Sequence, residues 1–275
     1  MKLRKELKSM LDCFNRDINY LRVSVTDRCN LRCTYCMPAD GVSMLTHGDI
    51  LSFDEIADVV RYGAERGIKK VRITGGEPLV RKGVVQLVSL LSEIDGIEEL
   101  TMTSNGILLP AFAKDLKAAG LKRINISLDT LDPERFLEVS RGGNLNDVLA
   151  GIDAAIEAGL TPVKLNCVIR NSPDEPDAQS VKQFADTRGL EVRFIHLMNL
   201  NTGEFSKVIG GDGGNCASCN RLRLTANGNL IPCLFSNEEF NIRKLGIAKA
   251  FEMALGNKPK SGTTSNTHEF YNTGG

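Results

Sequence analysis

The chain has 275 residues, 42% of them hydrophobic, with 34 basic and 34 acidic side chains and a formal net charge of zero. That length can bury a large core and suits one main domain with an appendage. Zero net charge excludes a global attraction to nucleic acid or anionic membrane, so any anion binding must come from local clustering. No stretch approaches the ~18 apolar residues of a membrane span, and the basic start has no apolar run behind it, so a cytoplasmic location is expected.

In chain order, short Val- and Ile-rich runs alternate with longer helical patterns. Strands are predicted over 20–26, 70–74, 99–103, 123–129, 162–168 and 191–197. Helices are predicted over 52–66, 84–93, 110–119, 132–140, 145–158 and 176–188, several opened by Ser, Asp or Pro and closed by Gly. Six right-handed βα units imply an α/β fold, an incomplete TIM-like (βα)6 barrel over residues 1–198. Beyond 198 the pattern stops, and a Gly-rich loop over 209–214 leads to Cys216 and Cys219. A hairpin is then predicted, with strands 221–225 and 229–235 about a turn at 226–228 and with Cys233 in its second strand. Residues 199–275 thus form a small C-terminal extension. Its tail, rich in Gly, Ser, Thr and Asn, reads by itself as a frayed terminus.

With period 2, one face of the strands is apolar (Leu21, Val23, Ile73, Ile124, Leu165) and meets the helices. The other carries Arg22, Lys70, Arg72, Thr103, Ser127, Lys164 and Arg193, which gives the barrel a polar interior. Five cations directed into one cavity need partners. The interior acids are few, chiefly Asp27, Glu77 and Asp129, so a polyanion such as a triphosphate is the simplest partner. The plain alternative is that these Lys and Arg side chains pair or snorkel at the rim.

Six of the eight cysteines fall in two tight groups, which in a cytosolic chain favours metal over disulfides. Cys167, in an apolar strand, reads as a core residue, and Cys13 has no functional reading. Cys29, Cys33 and Cys36 are spaced C-x3-C-x2-C, so three thiolates can hold an iron–sulfur cube and leave one iron open. Structural zinc sites favour paired cysteines with a fourth Cys or His. For Cys216, Cys219 and Cys233 the spacing leaves cluster and zinc both open, with His196 or His47 as a fourth zinc ligand.

The first group, with Tyr35 before its third thiol and Gly75-Gly76-Glu77-Pro78 after the next strand, resembles the radical S-adenosylmethionine (SAM) superfamily. The resemblance implies SAM on the open iron, its methionine amine held by the Gly-Gly-Glu-Pro backbone and by Glu77. The run 20–29, the run 219–225, Cys233-Leu-Phe235 and the terminal Gly274-Gly275 narrow this to the GTP 3',8-cyclases of molybdenum-cofactor biosynthesis. That family implies two 4Fe-4S clusters, the second on Cys216, Cys219 and Cys233. It implies SAM contacts at Tyr35, Gly76, Glu77, Thr103 and Ser127. GTP contacts would fall at Arg22, Lys70, Arg72, Lys164, Arg193, Arg221 and Arg223, and Gly274 and Gly275 would reach into the active site. GTP as substrate, a flavodoxin- or ferredoxin-type electron donor and a downstream pterin-forming enzyme follow from the resemblance, with monomer and homodimer both open.

Two features depart from the family pattern. Only residues 199–215 separate Met198 from Cys216, where the family has a longer segment, so a less shielded barrel is expected. His196 stands where the family has an acid. One rival reading is a related radical SAM enzyme acting on a peptide or another nucleotide; seven retained cations speak against a neutral peptide. A second is a metal-binding regulatory protein, which leaves the Gly-Gly-Glu-Pro turn and the polar interior without a purpose.

Overall fold

The computed structural model describes residues 9–273. Its elements are β1 (Tyr20–Ser24), α1 (Phe53–Ala64), β2 (Lys70–Thr74), α2 (Val84–Ser92), β3 (Glu99–Ser104), α3 (Leu109–Ala118), β4 (Arg123–Ser127), α4 (Pro133–Ser140), α5 (Leu145–Glu157), β5 (Lys164–Ile169), α6 (Pro176–Arg188) and β6 (Glu191–His196). There follow β7 (Arg221–Leu224), β8 (Asn229–Ile231), β9 (Phe240–Asn241), α7 (Ile242–Leu245), α8 (Ile247–Gly256) and α9 (Phe270–Thr273).

Local chemistry sets the helix starts. Ser52 caps α1 in a reciprocal box with Glu55, its hydroxyl accepting from the Glu55 amide at 3.1 Å while the Ser52 amide donates to Glu55 Oε2 at 2.7 Å. Asp132 and Asn144 cap α4 and α5 in the same sense, each accepting from amides of the first turn. Gly189 stops α6 in the left-handed conformation. The apolar faces of these helices pack on the apolar strand face, and Leu21, Val23, Ile73, Ile124 and Leu165 are all fully buried. Cys167 is part of this core, as expected.

The sheet runs β6-β5-β4-β3-β2-β1-β7-β8-β9 and does not close. Strands β1 to β6 are parallel, giving the expected incomplete barrel. The predicted hairpin is present as β7 and β8, with a shorter second strand. Its placement was not legible: β7 lies parallel against β1, with Tyr20 opposite Arg221 and Arg22 opposite Arg223. One sheet therefore runs through both segments. Helix α8, which the sequence reading did not anticipate, packs on α1 through Phe251 and Tyr62, whose ring centroids are 5.1 Å apart.

The segment 199–215 turns back on itself at Asn199 and Glu204, and Ile209 pairs with Phe194 on the open edge of β6. Both backbone bonds of that pair are 3.0 Å. Phe205 stacks on Phe235 at 4.5 Å, so this segment, although short, walls the side of the barrel where less shielding was expected.

Candidate active site

The first cysteine group follows the C-terminal end of β1. Cys216 and Cys219 precede the N-terminal end of β7, and β1 and β7 are parallel neighbours. Cys233 follows the antiparallel β8 and so returns to that same lower end. The two groups thus sit at opposite ends of the barrel, separated by a strand length of roughly 17 Å for five residues.

In the first group the loop is wound by Cys36 N and Met37 N, which both donate to Cys33 O at 2.9 and 3.0 Å. All three thiols are free and partly buried. Burial, before any neighbouring charge, pushes Cys33 and Cys36 up to about 12 and raises Cys29. Thiols gathered in this way release their protons on binding a metal, which is the chemistry an iron–sulfur cluster requires.

Gly75 and Gly76 pack on the start of the cysteine loop. A Cβ on Gly76 would stand 2.4 Å from Arg28 O, and one on Gly75 2.7 Å from Thr26 O. Only glycine allows that approach. Glu77 is buried and already satisfied: its carboxylate accepts from Leu79 N at 3.1 Å, Ser104 Oγ at 2.9 Å and Asn105 N at 2.7 Å. Its side chain therefore ties the β2 turn to the β3 loop. Thr103 Oγ1 is buried without a hydrogen-bond partner, an orphan polar atom that a ligand would satisfy. Ser127 lines a small cavity beside Cys33, Asn105 and Tyr35, and the Tyr35 hydroxyl donates to Asp129 at 2.7 Å. The residues present thus fit a cluster with a polar cofactor beside it.

Burial pushes the Glu77 carboxyl up to about 7, its three hydrogen bonds offsetting only part of that. Because the folded value lies above the unfolded one, this stabilisation is complete below about pH 4.5 and is lost as pH rises through 7, on the order of 3 kcal/mol. Glu77→Gln should flatten the decline in stability of the cluster-free chain between pH 5 and 8. Urea unfolding of both proteins at those two pH values checks it, and an equal decline in the variant would refute the assignment.

At the other end of the barrel a cavity of about 410 Å³ is lined by Cys216, Cys219 and Cys233 together with Arg22, Lys70, Arg72, Arg193, Arg221 and Arg223. Lys164 is not in its lining; it pairs with Glu191. Lys70 likewise pairs with Glu99 at 2.8 Å. For these two lysines the structure shows the rim pairing of the plain alternative, because Glu99 and Glu191 open β3 and β6, lie outside the cavity lining and meet them from neighbouring strands. The arginines behave differently. Register places Arg223, Arg22 and Arg72 side by side across three strands. Burial first, then Arg223, depresses the Arg22 pKa well below its ordinary value, and burial lowers Arg223 to about 10. An anion in this cavity would relieve both effects.

Neither His196 nor His47 serves the zinc alternative. His196 ends β6 at the opposite end of the barrel from the second group, with Nε2 3.2 Å from Asn171 O, and His47 is exposed on the loop after the first group. Among the described residues no three His, Cys, Asp or Glu side chains converge on a single-ion site.

Three residues were missed. Tyr20 lies in the cavity with Lys70, Arg72 and Arg221 5.1, 5.7 and 5.9 Å from its ring centre; its period-2 relation to Arg22 was the available signal. Arg16 and Lys258, both buried, hold the loops of the second group, and nothing local marks them. The tail is anchored as far as it is described: Thr273 is buried and its carbonyl accepts from Arg223 at 3.5 Å. Gly274 and Gly275 lie outside the described residues.

A model described as "Radical SAM superfamily" matches residues 23–183, and one described as "Molybdenum Cofactor Synthesis C" matches 212–262. A "GTP 3',8-cyclase" of Alkaliphilus oremlandii is 42% identical, the match covering 85% of this chain and 86% of that protein. The chain belongs to the GTP 3',8-cyclase family of radical SAM enzymes. A second cyclase of that name, from Petrotoga mobilis, is 41% identical over 95% of both chains. Its alignment runs to 314 positions against 275 residues here, in keeping with a segment absent from this chain. A third, from Moorella thermoacetica, is 45% identical over 85% of this chain and 86% of its own. The solved anSMEcpe with bound AdoMet has a TM-score of 0.64 at 15% identity, covering 87% of this chain and 78% of its own. Streptococcus suis SuiB bound to S-adenosylmethionine has 0.59 at 16%, covering 86% and 65%. These two share the open parallel barrel with this cyclase-family chain. As a member of the family, the chain is an enzyme whose cofactors are 4Fe-4S clusters and SAM.

Proposed function

We propose that this chain converts GTP to 3',8-cyclo-7,8-dihydro-GTP in molybdenum-cofactor biosynthesis. The observation that carries the reading is the cavity in which six cations and the second cysteine group face each other, at the far end of the barrel from the first group. When bound at Cys29, Cys33 and Cys36, a reduced cluster with SAM supplies the carbon radical that removes a hydrogen atom from the substrate.

Arg22, Arg72 and Arg223 bind the triphosphate, their planar forks suiting phosphate oxygens. Arg193 and Arg221 extend the clamp, while Lys70 and Lys164 join it by exchanging Glu99 and Glu191 for phosphate. Thr103, Ser127 and the Gly76 backbone orient SAM, and Tyr35 braces the cysteine loop through Asp129. Cys216, Cys219 and Cys233 hold the second cluster against the base. Phe205 and Phe235 keep water from this end of the cavity. The protein's contribution is orientation across the lumen, which holds ribose between the two ends. Its electron donor is of the flavodoxin or ferredoxin type, its product passes to a pterin-forming enzyme, and it works in the cytoplasm.

An anaerobic assay of reconstituted protein with SAM, dithionite and GTP, read by mass spectrometry, tests this. It should show 5'-deoxyadenosine and the cyclised nucleotide rising together. Deoxyadenosine alone, indifferent to GTP, would remove GTP as the substrate.

A further inference from the structure

Lys258 is 2% exposed, on the loop that follows α8. Its ammonium donates to Arg221 O at 2.7 Å and to Pro232 O at 2.6 Å. The first of these carbonyls lies two residues after Cys219, and the second directly precedes Cys233. Among the described residues the ammonium forms no ion pair with a carboxylate, and its two carbonyl partners hold it beside Cys219 and Cys233.

The loop is clamped in place from the other side. Arg16, paired with Asp12 at 2.6 Å, donates to Cys216 O at 2.7 Å, Pro259 O at 2.7 Å and Lys260 O at 3.1 Å. A lysine is costly to bury without a counter-charge, and here the cysteine group is what faces it.

We propose that Lys258 is the fixed counter-charge of the second cysteine group, joining the loops that carry Cys219 and Cys233 and raising the reduction potential of the cluster they hold. This rests on reading that group as a cluster site. A cube held by three thiolates is anionic and gains a further negative charge on reduction, so an adjacent buried cation favours the reduced state. The hydrogen bonds to the two carbonyls set the spacing of the ligand-bearing loops in the manner of other outer groups around metal sites. Lys258 is a positioning residue and touches no substrate.

The test uses full-length protein in which Cys29, Cys33 and Cys36 are all replaced by Ala, so that the second cluster is observed alone. Iron content and midpoint potential are compared among this parent, Lys258→Gln, Lys258→Met and Lys258→Arg. The parent should hold about four irons per chain. The Gln and Met variants should lose iron or, with iron retained, show a more negative potential, whereas Arg should stay near the parent. Parental iron and potential in the Gln and Met variants would overturn the proposal. Equal losses in the Arg variant would make side-chain shape the cause and overturn it too. A parent without iron would instead refute the cluster reading of the second group.

Discussion

Cys29→Ala should abolish 5'-deoxyadenosine formation, with a fall of more than 100-fold, since losing even an outer partner of a metal ligand typically costs about 10- to 100-fold. The open iron position depends on exactly three protein thiols; with two, the cube has no fixed orientation relative to the Gly75-Gly76 turn. The substitution should leave the fold intact. Cys29 is only partly buried, and its sulfur accepts weak bonds from Leu31 N at 3.3 Å and Asn105 Nδ2 at 3.8 Å. Iron should fall by one cluster while the second remains. Deoxyadenosine at the unsubstituted rate in the Ala variant would sink the assignment of the first group.

Arg223→Ala should separate the two halves of the reaction. Arg223 is 9% exposed and sits beside Arg22 on the neighbouring strand, in the cavity and away from the first cysteine group. Removing one charge-assisted phosphate contact, worth roughly 1.5–3 kcal/mol, should weaken GTP binding about 10- to 100-fold. Uncoupled SAM cleavage should persist, because the residues around Cys29, Cys33 and Cys36 are untouched. Arg223→Lys should recover part of the affinity but not the two-pronged geometry. Binding of GTP to the Ala variant with unchanged affinity would remove Arg223 from the substrate site, and a parallel loss of deoxyadenosine would point to a general structural defect instead.

The barrel was legible because its signals are local. Alternation in residues such as Leu21, Val23 and Val25 against Arg22 and Ser24 identifies the strand and both its faces, and caps such as Ser52 and Asp132 mark the helix starts. The spacing of Cys29, Cys33 and Cys36 likewise lies within eight residues. Helix α8 was hidden because it is only ten residues long and opens on Gly246, with no side-chain cap to mark its start. The pairing of Lys70 with Glu99 and of Lys164 with Glu191 was hidden because each joins neighbouring strands at one end of the sheet, and register is not written in either strand alone.

By itself the sequence determined the open parallel barrel, the two cysteine groups and the inward face of the cations, since each follows from periodicity or spacing within a short stretch. Only the tertiary structure decided that β7 lies parallel to β1. That pairing brings Arg223 beside Arg22 over some 200 residues of chain and puts the two cysteine groups at opposite ends of the lumen. It also made Lys258 and Arg16 part of the second group, because a buried cation acquires its role from the thiols and carbonyls that folding places around it.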